Sequence, residues 1–83
     1  MKTYKEYYFI SGRTKSNKFV CVSACTALDI AIDHFKHKYP RFNGNARIYK
    51  QECEVFEGND LVMYSPNARN YGHIRDFTST KEL

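Results

Sequence analysis

The stretch FVCVSACTALDIAIDHFKHKYP, residues 19–40, decides the fold, because the hydrophobic period changes inside it. Across Lys18–Ser23 the apolar residues alternate. Phe19 and Cys21 take one face and Val20 and Val22 the other, the two-residue period of a strand. From Leu28 the spacing lengthens. Leu28, Ala31, Ile32, Phe35 and Tyr39 fall at i, i+3, i+4, i+7 and i+11, one apolar stripe of a helix. Thr26 is the expected N-cap, with Asp29 three residues on in the capping-box position, and Ser23 is the other candidate. Asp29 and Asp33 suit the positive N-terminal end, and Lys36, His37 and Lys38 suit the negative C-terminal end. Pro40 ends the helix.

Upstream, Tyr4–Ser11 is rich in strand-forming aromatics, with Tyr7 and Phe9 on one side and Tyr8 and Ile10 on the other. Gly12–Asn17 is turn chemistry, so the first two strands form a hairpin. Downstream, Asn43–Asn45 is a turn and Ala46–Glu57 a strand whose apolar parity slips. Ala46 and Ile48 share one face, while Cys53 and Val55 share the other. A bulge or bend near Gln51 is the expected reason. Gly58–Asp60 is a second turn and Leu61–Ser65 a short fourth strand. From Pro66 the chain is polar, with Asn67, Asn70 and Gly72 as punctuation, and residues 78–83 are expected to fray. The predicted architecture is α+β with two layers. An antiparallel sheet in the order β-β-α-β-β carries one amphipathic helix on one face, followed by an irregular C-terminal tail. Residues 1–77 make the single domain.

A helix on one face leaves the other face of the sheet open. Aromatics on both sides of the first strand make that open face either a dimer interface or a stacking platform. A chain of 83 residues buries only about 60–65% of its unfolded surface, so its core is small and a homodimer is expected.

The formal charge is +4, unevenly placed. Residues 1–50 carry ten Lys/Arg and three acids, net +7, whereas residues 51–83 carry three Lys/Arg and six acids, net −3. Such asymmetry points to a surface for a polyanion. The hairpin supplies Arg13, Lys15 and Lys18 around a mobile turn. The helix end and its loop supply Lys36, Lys38 and Arg41, and the third strand Arg47 and Lys50. Tyr39, Phe42 and Tyr49 are interleaved with these, and the tail repeats the alternation with Arg69, Tyr71, His73 and Arg75. Cations attract phosphates and aromatic rings stack on unpaired bases, so RNA or single-stranded nucleic acid is the expected partner. A short echo joins two of these places, Asn-Ala-Arg-Ile-Tyr at 45–49 and Asn-Ala-Arg-Asn-Tyr at 67–71. Two copies do not make a repeat architecture, and the echo reads as coincidence.

Enzymatic signatures are missing. The four glycines, at 12, 44, 58 and 72, form no phosphate loop. Cys21 and Cys25 with His34 and His37 have the wrong spacing for a zinc finger, so no metal or cofactor is expected. Cys25, near the helix N-terminus, is the thiol whose pKa is expected to fall, but no triad accompanies it. Three cysteines and no signal-peptide core at the start read as reduced thiols in a cytoplasmic protein. No apolar run approaches a membrane span.

The strand running through Ser-Ala into a helix ending Phe-x-x-x-Tyr-Pro (Phe19–Pro40) resembles the core of many short accessory proteins of bacteriophages. In length and basicity the chain resembles the small T-even-type inhibitors of ToxN-like ribonuclease toxins, the TifA type. The resemblance covers about a quarter of the chain and states a strand-to-helix junction, so it brings no site residue with it. It implies a non-enzymatic, RNA-associated inhibitor with a toxin or nuclease as a protein target. The rival expectation is a protein-only inhibitor or adaptor that offers a sheet edge, the aromatic face or the acidic segment Glu52–Asp60.

Overall fold

In a computed structural model of the chain, the 3.6-residue stripe becomes helix α1, Leu28–Lys38. The structure describes residues 3–55 and 69–83. Ala31 and Phe35 of the stripe are fully buried, and Leu28, Ile32 and Tyr39 pack around them. The N-cap is Ala27, in extended backbone and without a side-chain cap bond, so neither Thr26 nor Ser23 performs that role. Strand β2, Phe19–Cys25, runs through Ser23, and Thr26 stands one residue too early. Asp29 serves its own turn, its Oδ1 accepting the Ile30 N–H at 3.0 Å.

Four strands form one antiparallel sheet in the order β2-β1-β3-β4, with β1 at Thr3–Thr14, β3 at Asn43–Val55 and β4 at Arg69–Ser79. The α+β, β-β-α-β-β organisation holds. The last strand, however, is built from residues expected to be an irregular tail. The expected strand Leu61–Ser65 and turn Gly58–Asp60 lie outside the described residues, as do Phe56 and Glu57. Alternation in β4 is broken by two extra residues relative to β3, one between Arg69 and Gly72 and one between His73 and Arg75. Asn70, at φ 56, supplies the left-handed backbone for the first.

The parity slip in β3 has a different cause from the one expected. β1 and β3 pair without a break from Thr3↔Val55 to Thr14↔Gly44. The strand therefore buries one face at each end. Ala46 and Ile48 join Ile10, Val20, Val22, Phe35, Phe42 and Phe77 under the helix. Cys53 and Val55 join Tyr7 on the opposite face. A pairing shift does occur between Lys50 and Glu52, but against β4, and the extra residue is on β4.

Gly12 and Gly44 belong to strands, not turns, and let the central backbones close up. A Cβ on Gly12 would meet the Asn45 carbonyl oxygen and stand 2.6 Å from Ala46 Cα. The β1–β2 turn is short and hydrogen-bonded. Asn17, at φ 65, donates its N–H to Thr14 O at 2.8 Å, and Lys18 donates to Thr14 Oγ1 at 3.0 Å.

Residues 78–83 are latched, not frayed. Thr80–Glu82 form a 3-10 turn closed by a capping box. Glu82 Oε2 accepts from Thr78 N, Thr78 Oγ1 and Ser79 N, each at 2.7 Å. Buried Thr80 accepts from Phe42 N at 3.1 Å and donates to Tyr39 O at 2.7 Å, tying the last strand to the helix exit. Among the described residues, no helix is long and apolar enough to cross a membrane.

Candidate nucleic-acid interface

The uninterrupted β1–β3 register fixes which residues face away from the helix. Arg13, Ser11, Phe9 and Tyr7 of β1 pair with Asn45, Arg47, Tyr49 and Gln51 of β3. Phe19 and Cys21 of β2 pair with Arg13 and Ser11 and continue the face on one side. His73 and Asp76 of β4 pair with Tyr49 and Arg47 and continue it on the other. His73 and Asp76 are three residues apart, an odd spacing that a regular strand would divide between faces. The extra residue at Ile74 brings both onto the open face and turns Ile74 toward the core.

Aromatic rings cross this face from strand to strand. Phe9 and Tyr49 stack with centroids 5.3 Å apart and planes 8° from parallel. Tyr49 and Tyr71, the two tyrosines that end the echoed pentapeptide, meet at 5.3 Å and 36°. Tyr71 is 50% exposed and Phe19 60%. The Arg13 guanidinium lies 5.8 Å over the Phe19 ring. Arg47 donates to the Tyr71 hydroxyl at 3.4 Å and stands 3.7 Å from Asp76 Oδ1. These partners, Tyr71 foremost, raise the pKa of an already permanent cation. Asp76 Oδ1 also meets His73 Nε2 at 3.0 Å, and this bond above all holds the Asp76 carboxyl below its usual range. Arg47, Tyr49, Gln51, Tyr71 and Asp76 line a shallow depression of about 640 Å³.

Of the sequence-predicted site residues, Arg13, Arg47, Tyr49 and Tyr71 come together on this face. Lys15 and Lys18 flank it in the β1–β2 turn and are exposed. The others do not converge. Lys36 and Lys38 are on the helix, in the other layer, and Arg41 follows it. Lys50 projects on the helix side and reaches Glu6 at 3.7 Å. Arg69 pairs with Glu52 at 2.9 Å and lies 3.7 Å over the Tyr4 ring. Arg75 donates to Glu82 O at 2.8 Å. The site residues that sequence reasoning missed are Phe9, Phe19 and Asp76, while His73 was read as part of the basic tail strip without its acidic partner. The strand alternation marked both phenylalanines, but His73 and Asp76 depend on a bulge that no pattern announces.

The acidic segment is partly committed to the fold. Glu52 holds Arg69 and Glu54 is buried. Glu57 and Asp60 lie outside the described residues. Cys25 departs from expectation, since burial raises its thiol pKa, and Cys53 is raised for the same reason. The Cys25 Sγ is 3.9 Å from His34 Nδ1. No protein-family model, curated protein or solved structure matches the chain.

Proposed function

We propose that this chain is a non-enzymatic protein that binds single-stranded RNA on the open sheet face and acts as an inhibitor by occupying that RNA. Carrying the reading is the ring pair Tyr49 and Tyr71, drawn from adjacent strands, with Phe9 stacked against Tyr49 and Arg47 beside Tyr71. Unpaired bases stack on such rings, and duplexes, whose bases are already stacked, do not. Arg13, Lys15 and Lys18 stand at the end of the platform where a phosphate backbone would leave it. The formal charge of +4 gives the long-range attraction. The size, the basicity and the resemblance to phage inhibitors of RNA-cleaving toxins support the inhibitory role. A nuclease whose substrate is held on this face is denied it without any turnover by the inhibitor.

The measurement is fluorescence anisotropy with a labelled eight-nucleotide RNA, its DNA equivalent and an RNA duplex. Single-stranded RNA binds and the duplex does not, and the DNA arm reports whether the 2′-hydroxyl is read. Tyr71→Ala weakens binding by about 1–3 kcal/mol, the worth of one stacked base. If no single strand binds at low salt, the reading is wrong. Pull-down from a lysate with and without nuclease treatment then separates capture through RNA from direct capture of a protein.

A further inference from the structure

We propose that the depression between β3 and β4 holds one guanine base of the bound strand, with Asp76 taking its two Watson–Crick donors. The inference rests on the RNA reading above and names what that face selects. Stacking alone cannot choose a base, because every base has a π face. Selection needs a polar group beside the stack, and the depression has one.

Asp76 is three residues past His73 on the same face, within reach of the Tyr49–Tyr71 pair through Arg47. Both of its contacts, His73 Nε2 at 3.0 Å and Arg47 Nε at 3.7 Å, fall on Oδ1. Oδ2 takes neither. An ionised carboxylate only accepts hydrogen bonds and accepts best from two parallel donors. Among the four RNA bases, guanine alone presents two adjacent donors on its Watson–Crick edge, N1–H and the 2-amino group. Adenine presents one donor beside an acceptor. Cytosine has one donor followed by acceptors, and uracil has a donor flanked by acceptors. A carboxylate meeting any of those three faces a lone pair.

The charges around Asp76 fit the same occupant. A bare carboxylate beside a phosphodiester strand would repel it, but Arg47 and, when protonated, His73 offset that charge locally. Arg47 also donates to Tyr71, so the cation, the ring and the carboxylate are held as one unit before any ligand arrives. Gln51, on the same wall, offers an amide to the guanine O6 side or to a neighbouring sugar.

The experiment compares four labelled RNAs: an eight-uridine strand, and the same strand with one central guanosine, adenosine or inosine. Guanosine binds about tenfold more tightly than adenosine, the discrimination expected of one good bidentate contact. Inosine keeps N1–H but lacks the 2-amino group, so it falls well short of guanosine. Asp76→Asn replaces one acceptor by a donor and brings the guanosine-to-adenosine ratio close to one. Equal affinities for guanosine and inosine, or for guanosine and adenosine, overturn the guanine assignment while the RNA reading stands. A guanosine preference that survives in Asp76→Asn overturns the role of Asp76. If none of the four strands binds, both readings fall. The inosine arm uses the unaltered protein, so it decides the matter even if the variant folds poorly.

Discussion

Gly12 shows how much of this sheet depends on single atoms. It pairs with Ala46 where the central strands approach closely, and any Cβ there meets backbone rather than a side-chain tip. Backbone cannot swing aside, so Gly12→Ala is expected to destabilise the domain by about 1–3 kcal/mol. A urea titration checks it through a lower midpoint at unchanged slope. In the sequence the glycine read as the start of a turn, since turn residues follow it at once. Nothing local tells a turn glycine from a close-approach glycine, because the difference lies in Ala46, on a strand thirty-odd residues away. The aromatics were easier. Phe35 announced its burial through the helical period, and the strand period put Phe9 on one side with Tyr7 but left open which side the helix covers. The pairing of His73 with Asp76 could not be read, because their common face exists only through the extra residue between them.

At the scale of elements, α1 was legible because its stripe, its charged ends and Pro40 agree. β4 was not, because its polar edge and two bulges remove the alternation that identifies a strand. The closing turn after it was equally hidden. Its capping box is four residues of ordinary polar sequence, and the partners that anchor Thr80 are Tyr39 and Phe42. The Glu82 carboxylate accepts three hydrogen bonds there, led by the Thr78 hydroxyl, and they hold its pKa below the ordinary glutamate range. A carboxyl depressed by folding stabilises the fold above its unfolded pKa and loses that contribution as pH falls through the folded value. Wild type is therefore more heat-stable than Glu82→Gln at neutral pH, with the gap closing as pH falls through the acid range. Melting temperatures of both proteins across that range provide the check, and Asp76, common to both, cancels in the comparison. A second consequence of the latch concerns the edge. Tyr39 offers its hydroxyl to the Cys21 N–H of edge strand β2 at 3.4 Å, and β4 is bulged twice. Each of these features works locally against strand addition at its edge.

At the scale of the whole molecule, the charge asymmetry read from the sequence resolves into two layers. Arg13, Lys15, Lys18 and Arg47 are on or beside the open face, while Lys36, Lys38 and Arg41 are at the helix end. Lys50 and Arg69 pair with Glu6 and Glu52. A strand bound on the open face therefore meets about four cations. Single-strand binding releases about 0.7 counterions per phosphate neutralised, so log affinity against log salt has a slope of about −3. A slope of about −5, measured by anisotropy across a salt series, would instead recruit the three helix-end cations and refute a binding surface confined to one face. The sequence could count these cations but not sort them, since sorting needs the register of β1 on β3.

The strand order has a kinetic side. β1 and β3 are spatial neighbours separated in the chain by β2 and α1, so the hairpin β1–β2 is the pairing with the shortest loop to close. The ring series takes Phe9 from β1, Tyr49 from β3 and Tyr71 from β4, and so requires the two later pairings as well. On the proposed reading, RNA binding is therefore expected to be the last property to appear as the chain matures. In stopped-flow refolding, recovery of RNA binding should lag behind the helical circular-dichroism signal, and a nascent or partly unfolded chain should leave RNA alone.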